Sequence, residues 1–436
     1  MSYKLAIALL LFASTPSLAQ PTEPTPTPEP EPTPVPAPEP TVVEPAPAPV
    51  VVVTTPAEPP PKKLPLEVKP GGYVHLDSRR LLDESEAHDI TVRRLRFKLD
   101  GTATKYFKFR TLIDFAGSKL VVDDAWGEIV ARPELALRFG KDKSQFGIER
   151  LQSATQLTFI ERAFPTQLAP NRDIGAWLRG DIEKGLVHYA VGVVDGVANN
   201  AVIEGETDDV LELNLHLLIS PFAKQKELGD LGIGGATTFG RTKGTLASLG
   251  LTNIKSAAQT TIVKYTTGMD ALTTARADGY RSRFAAHAYY YTGPIGVLAE
   301  YVRDQEPIVL NGDAVRIDND AWQVAASVAI TPGDKPAYKG LKPKRSFDPG
   351  KGTYGAVEVA ARYSAISLDP KGFEAGDTSD GSSVEKATEF TLGANWYFNE
   401  YIKVQLDYSF TSFDAHVPET EKPSEHLIAT RLQVAI

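Results

Sequence analysis

The sequence predicts an all-β protein, a transmembrane antiparallel β-barrel of about sixteen strands preceded by a disordered proline-rich segment. Three observations predict it. From Gly71 onward, apolar and polar residues alternate with period two, in pieces of about ten residues broken by Gly, Asp, Asn and Pro. After the first nineteen residues no apolar run is long enough to span a bilayer as a helix; Val50–Val53 is four residues. The strand pattern also continues to the last residue, as a barrel that closes its first strand on its last requires.

The N-terminal elements come first. Lys4, the apolar run Leu5–Phe12 and the small-residue exit Ser17-Leu18-Ala19 have the layout of a signal peptide over residues 1–19, so the chain is expected to be exported. Nineteen of the fifty-one residues from 20 to 70 are proline. With φ fixed and donor N–H groups missing, such a stretch builds no packed core, and extended polyproline II is the expectation. At ~3.1 Å per residue it reaches ~150 Å, enough for a periplasmic spacer. An unstructured tether and a stalk that contacts the cell wall both fit.

Residues 71–436 form the barrel candidate, and roughly 23 residues per strand and connection give about sixteen strands. From Thr91 to Asp100, Arg93, Leu95, Phe97 and Leu99 share one face, while Val92, Arg94, Arg96, Lys98 and Asp100 share the other. Next, Phe107, Phe109, Thr111, Ile113 and Phe115 oppose Lys108, Arg110, Leu112 and Asp114. Leu135, Leu137 and Phe139 flank Arg138; Ala176 and Leu178 oppose Trp177, Arg179 and Asp181; Val404, Leu406 and Tyr408 oppose Lys403, Gln405 and Asp407. The final strand sets Leu432, Val434 and Ile436 against Arg431, Gln433 and Ala435.

In a soluble sandwich the phenylalanine face would be core and the charged face would meet bulk water. In a membrane barrel the first faces lipid and the second lines a wet interior. Periodicity alone does not choose. Strands filling the chain, a strand at its end, and aromatic clusters at Tyr289–Tyr291, Trp396–Phe398 and Tyr401, where interfacial girdles belong, favour the barrel. Cysteine is absent, so no disulfide holds the exported chain. The whole chain is −9, and residues 71–436 carry 42 bases against 48 acids, so any preference for anions depends on where the bases face.

Four stretches carry a family resemblance. Thr158-Phe159-Ile160-Glu161-Arg162-Ala163, followed by Ala169-Pro170-Asn171-Arg172-Asp173-Ile174-Gly175, resembles the segment around the inward-folded third loop of the phosphate-selective porin O and P family. Tyr189–Gly196 is similar to the strand and turn that follow it, and Gly355–Ser364 and Asn395–Asn399 look like its late strands. The resemblance covers essentially all of 71–436. It implies a sixteen-stranded outer-membrane barrel, a homotrimer, and a basic-lined path for small anions such as phosphate. There are departures: Asn214 stands where the resemblance implies an arginine, and the last residue is Ile436 where such barrels end in phenylalanine.

An anion that enters a pore sheds part of its hydration, and planar, permanently charged guanidinium groups compensate for it. Strand parity makes Arg79, Arg94, Arg96, Lys98, Lys108, Arg110, Arg138 and Arg179 the candidate pore-lining cations. Alternatively, they pair with Asp77, Asp100, Asp114 and Asp181 in structural ladders. The stretch Lys143–Arg172 breaks the alternation and is long for a hairpin; folded inward it is a constriction loop presenting Arg150, Arg162 and Arg172 beside Glu149, Glu161 and Asp173, and otherwise it is a surface loop. The basic loop Lys335–Lys351, with Lys342, Lys344 and Arg345, either gathers anions at a pore mouth or is a solvated connection.

Enzyme classes find no support. The seven histidines have no metal-ligand spacing, no serine lies in a nucleophile elbow, and no cofactor or metal is implied. The reading is a porin for passive diffusion of small anions, resident in the outer-membrane lipid and without nucleic-acid contacts. Its rivals are a general, weakly selective porin and an envelope protein tethering the outer membrane to the cell wall.

Overall fold

A computed structural model of the chain describes residues 66–83, 88–203, 210–374, 384–415 and 424–436. The expected signal peptide (1–19) and the proline-rich spacer as far as residue 65 lie outside the described residues. Sixteen antiparallel strands close into one barrel, each paired with its neighbours in sequence. They are β1 (Glu67–Leu81), β2 (His88–Thr104), β3 (Phe107–Asp114), β4 (Val121–Arg132), β5 (Leu135–Lys143), β6 (Arg172–Ile182), β7 (Val187–Val194) and β8 (Glu212–Ile219), then β9 (Asp230–Lys243), β10 (Arg276–Thr292), β11 (Ile295–Leu310), β12 (Asp313–Ala329), β13 (Ala356–Ser367), β14 (Val384–Tyr397), β15 (Ile402–Ala415) and β16 (Ser424–Ala435). At the end that holds residues 66 and 436 the connections are short, apart from 220–229 and 330–355. Most connections at the opposite end are longer, notably 144–171, 195–211 and 244–275.

Closure runs from Tyr73↔Ala435 to Leu81↔Leu427. The first strand starts at Glu67, four residues before the boundary expected from the prolines. Pro70 is tolerated there because its missing donor faces away from a partner. Gly72 N–H donates to Ile436 O at 3.1 Å, so the N–H side of Gly72, and of Pro70 two residues earlier, faces β16, which has already ended opposite Tyr73.

Outward positions are apolar and exposed, including Leu95, Phe97, Leu137, Phe139, Leu178, Leu213, Val324, Leu392, Leu406 and Leu432. Inward positions are polar: His75, Asp77, Arg94, Glu128, Glu300, Arg362, Asp407 and Arg431 are buried inside the wall. This is the pattern of a barrel that meets lipid outside and water within.

The structure corrects strict alternation in two places and the girdle assignment in a third. Arg93, expected beside Leu95 and Phe97, is the extra residue of a β-bulge: Arg94 pairs with His75 and Val92 with Leu76, so Arg93 drops out of the register and reaches inward to Glu161 at 3.3 Å. A second bulge skips Asp123 between Leu112↔Asp124 and Ile113↔Val122, adding an inward carboxylate. Of the aromatics assigned to girdles, Tyr290 and Trp396 face outward, but Tyr289, Tyr291 and Tyr397 are buried inside, where Tyr397 donates to Glu358 at 2.7 Å.

The bulge makes the two faces unequal to substitution. Leu95→Arg puts a guanidinium against hydrocarbon and should lower unfolding free energy by about 2 kcal/mol or more. Arg93→Leu, on the wet side, should cost clearly less. Urea titration of the barrel folded in lipid vesicles measures both.

Candidate functional site

The connection 144–171 lies inside the barrel, and its path follows from the hydrogen bonds it needs. Backbone N–H and C=O groups without a ladder must find partners; here the inward side chains of the wall supply them. Asn214 clamps the entry, its Oδ1 accepting from Gln145 N–H (3.1 Å) and Trp177 Nε1 (2.9 Å) while its Nδ2 donates to Gln145 O (3.2 Å). That is what the residue does in place of an arginine. Trp177 lies flat over Gly192, where a Cβ would come within 2.2 Å of the indole.

Gly147 then turns left-handed (φ 71°), which lets Ile148 N–H donate to Glu300 Oε1 at 2.6 Å as the single helical turn Ile148–Leu151 begins. Farther along, Leu157 O accepts from Lys403 Nζ (2.9 Å) and Thr158 O from Asn395 Nδ2 (2.9 Å). Ile160 N–H donates to Asp407 (2.7 Å), while its carbonyl accepts from Arg431 (2.8 Å). Glu161 O accepts from Arg362 (2.9 Å), and Phe164 N–H donates to Ser364 Oγ at 3.2 Å. Phe146, Phe164 and Leu168 pack on Ala285, Val302, Ala321 and Ile366 of the same wall. The inner loop is thus fastened along β11–β16. From the terminal end the connection 330–355 props it: Tyr338 stacks on Tyr289 (4.7 Å), donates to Ile148 O (2.7 Å) and accepts from Gln152 Nε2 through its carbonyl (2.6 Å).

The space left open is a cavity of about 1020 Å³ between the inner loop and the wall β1–β8. Its lining carries thirteen Lys or Arg side chains against five Asp or Glu, so its charge is opposite in sign to the chain as a whole. Of the cations expected from strand parity, Arg94, Arg96, Lys98, Arg110, Arg138 and Arg179 line it, as do Arg150, Arg162, Arg172 and Glu161 of the loop stretch. Arg79 and Lys108 do not. Arg79 is held behind the loop by Asp77 and Glu161, and Lys108 is exposed near the terminal end of β3. Strand parity missed Arg93, Lys143, Lys255 and Lys339, which also line the space. Arg93 was hidden by its bulge, and Lys255 and Lys339 lie in connections where alternation carries no information. Arg345 is exposed and away from the lining.

The cations fall into two electrostatic classes. On the wall, Arg96 meets Asp114 and Asp123 (both 2.7 Å), Lys98 and Arg110 share Asp100 (2.8 and 2.6 Å), and Arg138 meets Glu128 (2.7 Å) and Asp142 (2.5 Å) over the Trp126 ring. Arg172 also pairs, with Asp124 at 2.9 Å and Asp123 at 3.5 Å. So the ladder reading applies to these residues, with cations still in excess.

The second class is held by carbonyls. Lys143 Nζ donates to the carbonyls of Arg150, Leu151 and Gln152 (2.9, 3.1 and 2.6 Å), Arg162 to those of Glu149 and Gln152 (3.2 and 3.0 Å), and Arg150 to Thr166 O and Asn200 Oδ1. Among the described residues none of these three has a carboxylate within 4.0 Å, so dipoles orient their charges without cancelling them. Burial, then the like charges of Arg162 and Arg172, bring the Arg150 guanidinium down to about 9, which leaves it cationic at neutral pH.

Glu161 is the loop's ionic fastening. Burial alone would raise its carboxyl, but Arg93, Arg79 and Arg431 outweigh that and hold it at about 2. A carboxyl depressed from its ordinary 4.5 stabilises the fold above that value and loses the contribution as pH falls toward 2. The melting temperature should therefore drop between pH 4.5 and pH 2 more steeply in the wild-type chain than in Glu161→Gln, as followed by circular dichroism.

The comparisons agree with this architecture. The family described as phosphate-selective porin O and P matches residues 68–436. Among solved structures, the outer membrane channel DcaP of Acinetobacter baumannii superposes with a TM-score of 0.55 at 12% identity, over 86% of this chain and 99% of that one. An anion-selective porin from Comamonas acidovorans gives 0.53 at 11%, over 85% and 100%. The trimer form of OmpT, an outer membrane protein of Vibrio cholerae, gives 0.52 at 13%, over 85% and 99%. At these identities the likeness is one of fold. None of the curated proteins matches the chain in sequence.

Proposed function

Because the chain belongs to the phosphate-selective porin O and P family, and is an outer-membrane β-barrel, we propose that it lets small anions, phosphate or related oxyanions among them, diffuse passively through its lumen. The observation that carries this reading is the excess of thirteen basic over five acidic side chains around the cavity. An anion entering it meets paired guanidiniums along the wall and then the carbonyl-held cluster of Lys143, Arg150 and Arg162. In this reading the inner loop is the constriction. It narrows the passage to the side of β1–β8, so an ion passes within reach of cations on both sides. Rigid donors of moderate strength at several successive positions suit passage better than one deep trap. The protomer works as a homotrimer, as the family resemblance implies.

Single channels in planar bilayers under a salt gradient test the reading. The reversal potential should have the sign of anion flux, and added phosphate should lower chloride current; a potential near zero would mark a general porin. Arg162→Ala, which removes a cation with no carboxylate within 4.0 Å among the described residues, should shift the reversal potential toward zero. Arg345→Ala, outside the lining, should leave it unchanged. Arg172→Ala should have a smaller effect than Arg162→Ala, because Asp123 and Asp124 already balance Arg172. Equal potentials in all three variants would reject the constriction.

A further inference from the structure

On β11 and β12 the outer face of the barrel breaks its apolar pattern. On β11 and β12 the outward residues, read from the terminal end, pair as Ile295↔Val328, Val297↔Ala326, Ala299↔Val324 and Tyr301↔Trp322. This is a lipid-facing ladder ending on an aromatic pair. The next outward pairs are ionic or polar: Arg303↔Asp320, Gln305↔Asp318 and Pro307↔Arg316.

Arg303 donates through Nε to Asp318 Oδ1 (2.7 Å), yet its side chain stays 52% exposed. Arg316 is also exposed, and among the described residues it donates only to the neutral Gln305 Oε1 (2.8 Å) and Ser282 Oγ (3.3 Å). Next to them on the same outward face stands Phe284, paired with Arg303. Beyond it Phe239 stacks on Tyr280 (6.0 Å), with the Arg241 guanidinium 5.9 Å from the tyrosine ring.

We propose that this outward patch binds the phosphorylated headgroup of a glycolipid in the outer leaflet. Three features carry the assignment. First, the patch continues the lipid-facing surface directly above its aromatic border, at the end with the longer connections, where the headgroup layer of the outer leaflet meets a barrel. Second, Arg241, Arg303 and Arg316 outnumber Asp318 and Asp320, and two of the three guanidiniums have no carboxylate bonded to them among the described residues. Planar guanidiniums bind phosphate oxygens two at a time. Third, Phe284 and Phe239 give acyl chains an apolar surface beside the charges. A guanidinium in the middle of the hydrocarbon layer would be costly, which accounts for the patch sitting just past Tyr301 and Trp322.

The test uses the full chain in detergent, titrated with bisphosphorylated lipid A or its dephosphorylated form, with bound lipid counted by native mass spectrometry. The wild-type chain should prefer the phosphorylated form. R303Q/R316Q should weaken that binding about 25-fold, at ~5-fold per arginine, while both proteins hold the dephosphorylated lipid equally weakly and conduct ions alike. Should the double variant fail to fold, R316Q alone, which strips a cation bonded to Gln305 and Ser282, should give the single-arginine effect. Unchanged lipid binding in the variants overturns the proposal. So does a changed oligomeric state with lipid binding intact, which would make the patch a contact between copies of the chain.

Discussion

The fold depends on backbone groups that hydrocarbon cannot satisfy. A strand in a bilayer has only its neighbours for partners, and an open edge would leave a row of N–H and C=O groups unpaired at several kcal/mol each. Pairing Tyr73–Leu81 with Leu427–Ala435 removes that edge. Once the ladder is closed, the wall's own backbone needs few side chains for its satisfaction. The outward ones can be wholly apolar, and the inward ones can be polar without competing for the sheet.

That freedom is used twice on the inner face. Along β11–β16 the inward side chains give their hydrogen bonds to a second backbone, the inner loop, whose carbonyls and N–H groups would otherwise be unsatisfied. Along β2–β6 the inward side chains are cations braced by carboxylates on adjacent strands. The same kind of residue serves different ends according to whether the loop covers it. Arg431, bound to Asp77 and to Ile160 O, is structural, while Arg138 stands over Trp126 at the open space.

Much of this was legible in the sequence. Period-two alternation located the strands, and the break between Lys143 and Arg172 coincides with the observed connection because both residues are strand ends. What was not legible depends on register and depth. Arg93 reads as lipid-facing until pairing with β1 shows that it is skipped. Arg79 has the right parity but the wrong neighbour, since Glu161 arrives from 82 residues away. Tyr289 and Tyr291 read as girdle aromatics because composition records the cluster and not which members face inward. Asn214 reads as a lost arginine until its two bonds to Gln145 appear.

The division of the wall into a half that holds the loop and a half that faces the open space separates two kinds of evolutionary change. Among the described residues, Arg96, Lys98, Arg110, Arg138 and Arg179 bond to wall residues and make no hydrogen bond to the inner loop. Exchanging them in charge-balanced pairs with Asp100, Asp114 or Glu128 alters what an ion meets while the fastenings of the loop stay in place. A lineage can thus drift from one permeant to another through substitutions on a few adjoining strands, without passing through a barrel whose interior has come loose.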